Sequence, residues 1–139
     1  YLEWYEWNLA LNGHAIDDDH RIVQADCLQW LAAGPRGEDD RYDTIICDPP
    51  TFSNSKRMKA GSFSIDRDHP ALIRDLARFV APKGEIFFST NSRSFEMATD
   101  AIPGDFGCRE ITNRSIPEDF RNRRIHRCWR LAEGWERRR

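Results

Sequence analysis

The chain has 139 residues, of which 40% are hydrophobic and 32% charged, and its formal net charge is -2. These values suit a single soluble domain with a packed core. They exclude a uniformly basic nucleic-acid binder, and no apolar run is long enough to cross a membrane as a helix.

Apolar side chains at Leu2, Trp4, Tyr5, Trp7, Leu9 and Leu11 predict a first helix, with Gly13 as its stop. Ile22 and Val23 predict a short strand over 20–25. Asp26 then caps a helix over 27–33, and 34–41 is a polar loop. Residues 42–47, with Ile45, Ile46 and Cys47, predict a strand buried on both faces. A long loop rich in Ser, Lys, Arg and Gly follows over 51–69; such loops are functional or disordered. Leu72, Ile73, Leu76, Phe79 and Val80 line one face of a helix over 70–80, with Pro70 in its first turn. Pro82-Lys83-Gly84 reads as a turn, 85–90 as a strand and 94–100 as a short helix. Two last strands are predicted over 106–114 and 125–132. The alternation implies an α/β, doubly wound, mostly parallel sheet, and the closing strand pair implies an antiparallel edge.

Charge is unevenly placed. Acids gather at Asp17-Asp18-Asp19 and Glu38-Asp39-Asp40, and arginines crowd the C-terminal stretch from Arg114 onward. The latter are either a local basic face or a solvated terminus. Cys27, Cys47, Cys108 and Cys128 form no Cys-x-x-Cys pair, which fits a reduced, cytoplasmic setting. The four histidines also lack ligand spacing, so no metal is expected.

The most informative run is Asp48-Pro49-Pro50-Thr51-Phe52, directly after the predicted strand 42–47. Ligands of open α/β sheets bind outside the carboxyl ends of the strands. Two prolines stiffen a loop there that presents one carboxylate and one ring. An acid, two prolines and an aromatic at a strand end resemble the signature of methyltransferases acting on base nitrogens; the plain alternative is a strand-stopping turn. Asp26 stands at another predicted carboxyl end. Its carboxylate either accepts from an adenine amino group, beside the Cys27 N–H, or only caps its helix. Lys56, Arg57, Lys59 and Arg67 in the long loop are candidate phosphate contacts or solvated charges. Asn91, after the strand 85–90, is a candidate for a base edge or a turn.

The run Asp48-Pro49-Pro50-Thr51-Phe52-Ser53-Asn54-Ser55-Lys56-Arg57-Met58 resembles the C-terminal domain of the bacterial ribosomal RNA large subunit methyltransferase K/L family. Trp7-Asn8-Leu9-Ala10-Leu11-Asn12-Gly13, Gln24-Ala25-Asp26-Cys27, Arg67-Asp68-His69 and Asp119-Phe120-Arg121-Asn122-Arg123 carry the same resemblance. It implies a Rossmann-like class I fold, S-adenosylmethionine as cofactor, and methylation of a guanine in 23S rRNA, with N7 favoured over N2. It implies Asp48, Pro49, Pro50 and Phe52 as the catalytic loop and Asp26 and Cys27 as cofactor contacts. Lys56, Arg57, Arg67, Asn91, Arg121, Arg123 and Arg124 are the candidate RNA contacts. A non-catalytic RNA-binding domain that kept the fold is the competing class.

The family's Gly-rich cofactor loop and its ribose-holding acid are not found in this chain, which opens inside a predicted helix and not on Met. The expectation is therefore the C-terminal portion of one catalytic domain, inactive and weak in cofactor binding by itself. Its partners would be 23S rRNA and an upstream part carrying a second methyltransferase domain. The family's strand order is 3-2-1-4-5-7-6. Without its first two strands, the predicted strand 20–25 either stands isolated in its usual place or pairs directly with 42–47.

Overall fold

A computed structural model describes residues 1–17, 20–54, 61–122 and 126–134. The central sheet has four strands in the order β1-β4-β6-β5. They are β1 (Tyr42–Cys47), β4 (Val80–Thr90), β6 (Arg127–Glu133) and β5 (Phe106–Glu110). A separate two-stranded hairpin pairs β2 (Phe52–Ser53) with β3 (Phe63–Ser64). The helices are α1 (Leu2–Leu11), α2 (Cys27–Ala33), α3 (Ile65–Ala77) and the one-turn α4 (Thr112–Ser115).

β1 runs parallel to β4, with α3 as the crossover between them. β6 is antiparallel to both β4 and β5, so the antiparallel C-terminal pair is present as expected. The order matches the 4-5-7-6 half of the family's sheet. Phe88 in β4 and Leu131 in β6 are fully buried. Phe88, Phe95 and Trp129 form an aromatic cluster, with Phe95 edge-on to Trp129 at 5.1 Å. Burying each such side chain stabilises by roughly 1.5–3 kcal/mol. On the other side of the core, Trp30 of α2 stacks on Phe79 at 4.7 Å.

α3 is amphipathic because Ile65, Leu72, Ile73 and Leu76 recur at helical spacing and are all buried. It begins five residues before Pro70, so the proline sits in its second turn and not the first. The first turn comes from polar residues, Asp66, Arg67 and Asp68, that hydrophobic periodicity does not register. The predicted loop 51–69 accordingly contains the β2–β3 hairpin and the start of α3.

Other expectations change with the tertiary context. Residues 20–25 form no strand and join no β-ladder; a strand requires a ladder partner, and β1 offers pairing only to β4 among the described residues. β1 is not buried on both faces, since Tyr42, Asp43, Thr44 and Ile46 are exposed. Among the described residues it is an edge strand, paired on one flank only. Pro82-Lys83-Gly84 falls inside β4 as an irregularity: Tyr42 faces Val80 while Thr44 faces Glu85, and Lys83 has φ 67°. The predicted helix 94–100 reduces to a single 3-10 turn over Thr99–Ala101. β5 ends at Glu110, where α4 intervenes, and β6 begins at Arg127. α1 and α2 stand as predicted, and Gly13 follows the α1 cap Asn12 with φ 80°. Every residue of α1 lies outside the buried core.

Candidate functional site

β1 and β4 are parallel neighbours, so their carboxyl ends lie side by side. Asp48 leaves the first and Asn91 the second. Cys47 faces Phe88 in the register, which brings Asp48 beside Ser89. The Ser89 hydroxyl donates to Asp48 Oδ1 at 2.6 Å. This uses one carboxylate oxygen and leaves lone pairs on the other for a ligand. Ser89 was missed from sequence because it reads as an ordinary polar residue in a strand; only the register pairs it with the acid.

A cavity of about 920 Å³ opens beside this point. Asp48, Pro49 and Pro50 form one wall, and Asp26, Cys27 and the unpaired segment from Val23 to Ala25 form another. Trp30, Leu31, Ile46 and Phe63 supply apolar surface. Two acids far apart in sequence therefore front one largely apolar space, suited to a flat polar ring.

Asp26 is the N-cap of α2. Its Oδ1 accepts from the Leu28 and Gln29 amides at 3.1 and 3.3 Å. Its Oδ2 accepts from Gln29 Nε2 at 3.3 Å. The capping role is real, yet the half-buried carboxylate still borders the cavity, and the two roles are compatible.

Phe52 is 59% exposed, pairs with Ser64 in the β2–β3 hairpin, and does not line the cavity. Asn91 is exposed at the end of β4. Arg67 is committed to its own helix turn: its guanidinium donates to both oxygens of Asp68 at 2.7 and 2.8 Å and to Ser62 O at 2.5 Å. Arg121 is exposed in the segment after α4, away from the cavity lining. Lys56, Arg57, Arg123 and Arg124 lie outside the described residues, as do Asp18, Asp19 and Lys59.

Cys47 borders the cavity, but its thiol is pushed up to about 12, first by burial and then by the Asp48 and Cys27 charges. It stays protonated at neutral pH and cannot act as a nucleophile there. Burial likewise pushes Cys108 up to about 11. Among the described residues no group of three or more His, Cys, Asp or Glu side chains could hold a metal ion. No helix among them is long and apolar enough to cross a membrane.

No family model matches the chain. Solved structures superpose on it, among them the following two. One is SMU.776, assigned as a methyltransferase and solved with SAH, at a TM-score of 0.64 and 18% identity over 91% of this chain. The other is assigned as a SAM-dependent methyltransferase from Streptococcus mutans, at a TM-score of 0.59 and 19% identity over 89% of this chain. The chain has the Rossmann-like fold of class I methyltransferases. It spans about a third of the length of either structure, 34% and 33% respectively.

Proposed function

We propose that this chain forms the substrate side of a methyltransferase that uses S-adenosylmethionine and modifies a guanine of 23S rRNA, with N7 as the favoured atom. The observation that carries the reading is the cavity fronted by Asp48, held by Ser89, and by Asp26. Two further points support it: the Asp48-Pro49-Pro50-Thr51-Phe52 run, and a structural neighbour solved with SAH, the product left when that donor loses its methyl group. The guanine, the rRNA and N7 rest on the family resemblance. An upstream part of the same protein would complete the cofactor side.

The residues present fit the cofactor in part. Asp26 keeps acceptor capacity at Oδ2 for an amino group, and the apolar wall suits a purine. Bound S-adenosylmethionine would supply a methyl group already activated on a sulfonium. Guanine N7 has an in-plane lone pair and no proton, so the chain need supply no base. Asp48 would instead accept from the guanine N1–H and amino edge and hold the base in line. Phe52, exposed at the same loop, offers a ring for a base splayed out of its helix.

The test compares the full-length protein with its Asp48→Ala form on unmodified 23S rRNA with labelled donor, followed by nucleoside analysis. The expected result is 7-methylguanosine from the first and a loss of at least about 100-fold in the second. Appearance of N2-methylguanosine would move the target atom. No methylguanosine from the intact protein would leave an RNA-binding domain.

A further inference from the structure

The Arg67-Asp68-His69 triplet has no part in the chemistry above, yet it joins both loops of the site. His69 is 3% exposed. Its Nδ1 lies 2.8 Å from Ile65 O, and the Ala98 amide donates to its Nε2 at 3.0 Å. A carbonyl only accepts and an amide N–H only donates, so the ring is neutral with its proton on Nδ1. The ring also meets Phe95 edge-on at 4.7 Å. The segment after β4, which starts with Asn91, is thus tied to α3 at its far end. Arg127, which donates to Phe95 O, ties it to β6 as well.

The neighbouring acid holds the other loop. Asp68 Oδ2 accepts from the Ser64 amide at 2.8 Å, back across the first turn of α3. Ser64 pairs with Phe52 in the hairpin, and the Ile65 amide donates to Thr51 O at 3.1 Å. Arg67 grips the same carboxylate and Ser62 O. Arg67 is largely exposed, so Asp68 and His69 carry most of the tie.

We propose that Asp68 and His69, with Arg67 in support, are positioning residues that fix the Asp48-to-Phe52 loop and the segment from Asn91 to Ala98 relative to one another. None of the three lines the cavity. The proposal rests on the methyltransferase reading for its catalytic consequence only.

The test uses the full-length protein with His69→Phe, which removes both hydrogen bonds, His69→Gln, which keeps an acceptor for the Ala98 amide, and Asp68→Ala. Amide exchange followed by NMR reads the Ala98 and Ile65 protons without any catalysis. Ala98 is expected to exchange on the order of tenfold faster in H69F and near the native rate in H69Q, and Ile65 on the order of tenfold faster in D68A. On unmodified 23S rRNA, kcat is expected to fall about tenfold in H69F and D68A with KM for the donor unchanged, and to recover in H69Q. Native exchange at both amides overturns the proposal, and so does altered exchange with native kcat and KM. If H69F does not fold, H69Q and D68A decide the same two points. If the native protein transfers no methyl group, the methyltransferase reading fails; the tie then stands on faster exchange in the variants and falls without it.

Discussion

Ser89 Oγ donates to Asp48 Oδ1 at 2.6 Å across the carboxyl ends of two parallel strands. The hydroxyl fixes the rotation of the carboxylate that the proposed mechanism uses to orient the base. Removing it leaves the charge in place and frees its direction. Ser89→Ala is expected to lower methyl transfer about three- to tenfold, the worth of one hydrogen bond of about 1 kcal/mol. Because Ser89 acts through Asp48, the double variant should be no worse than Asp48→Ala alone. Steady-state kinetics of the three variants on unmodified 23S rRNA check this. Additive losses would show a separate role for Ser89.

Gly84 sits where β4 is irregular against β1. A Cβ built there lies 2.9 Å from both Tyr42 O and Ala81 O and 2.8 Å from Val80 Cγ1. Two of these atoms belong to the backbone and cannot swing away. Gly84→Ala is expected to cost about 1–3 kcal/mol by overpacking. Gly104, with nothing within 4 Å, is the control and should change stability by less than about 0.5 kcal/mol as alanine. Urea midpoints measure both. Equal midpoints would show that β1 can part from β4 at that point without cost.

The cysteines differ in what surrounds them. Cys27 is exposed, whereas burial and the Asp48 charge hold Cys47 at about 12. Only the thiolate reacts with a maleimide, and at pH 8 a thiol at 12 is about one part in 10,000 ionised. Labelling followed by peptide mass spectrometry should find Cys27 modified first and Cys47 largely untouched. Early modification of Cys47 would mean a cavity wall that opens to water.

Asp40 is buried and receives the Arg36 guanidinium at 2.9 Å together with the Arg36 amide at 3.0 Å. These bonds pull its carboxyl from an ordinary 3.8 to about 2. A carboxyl depressed by folding stabilises the native state above its unfolded value, and the benefit is lost as pH falls through the folded value. The window is therefore about pH 4 down to pH 2. Melting temperature should fall faster over that window in the native protein than in Asp40→Asn, which has nothing to titrate there. Parallel curves would show that the pair contributes no stability.

Much of the architecture was legible because it depends on local chemistry. α2 is announced by its Asp26 cap, and α3 by apolar residues at helical spacing over a strongly polar background. The antiparallel β5–β6 pair follows from two strand-forming runs with no helix of crossover length between them. Residues 20–25 were misread because Ile22 and Val23 favour a strand, while a strand exists only beside a partner. β1 was read as fully buried because its Ile45, Ile46 and Cys47 look like a core run; burial depends on what covers the faces, and Ile46 is 78% exposed.

By itself, the sequence determined the chemistry available at the site: an acid, two prolines and an aromatic at the end of an apolar strand, and a second acid at the start of a helix. Those are properties of residue type and short spacing, which local sterics and hydrogen bonding enforce. The tertiary structure alone decided which groups meet. Strand register set Ser89 against Asp48, and the packing of α2 against α3 brought Asp26 to the same cavity. The packing of α3 left His69 joined to the Ala98 amide. Such meetings span 29 residues in the case of His69 and 41 in that of Ser89, and only long-range packing can create them.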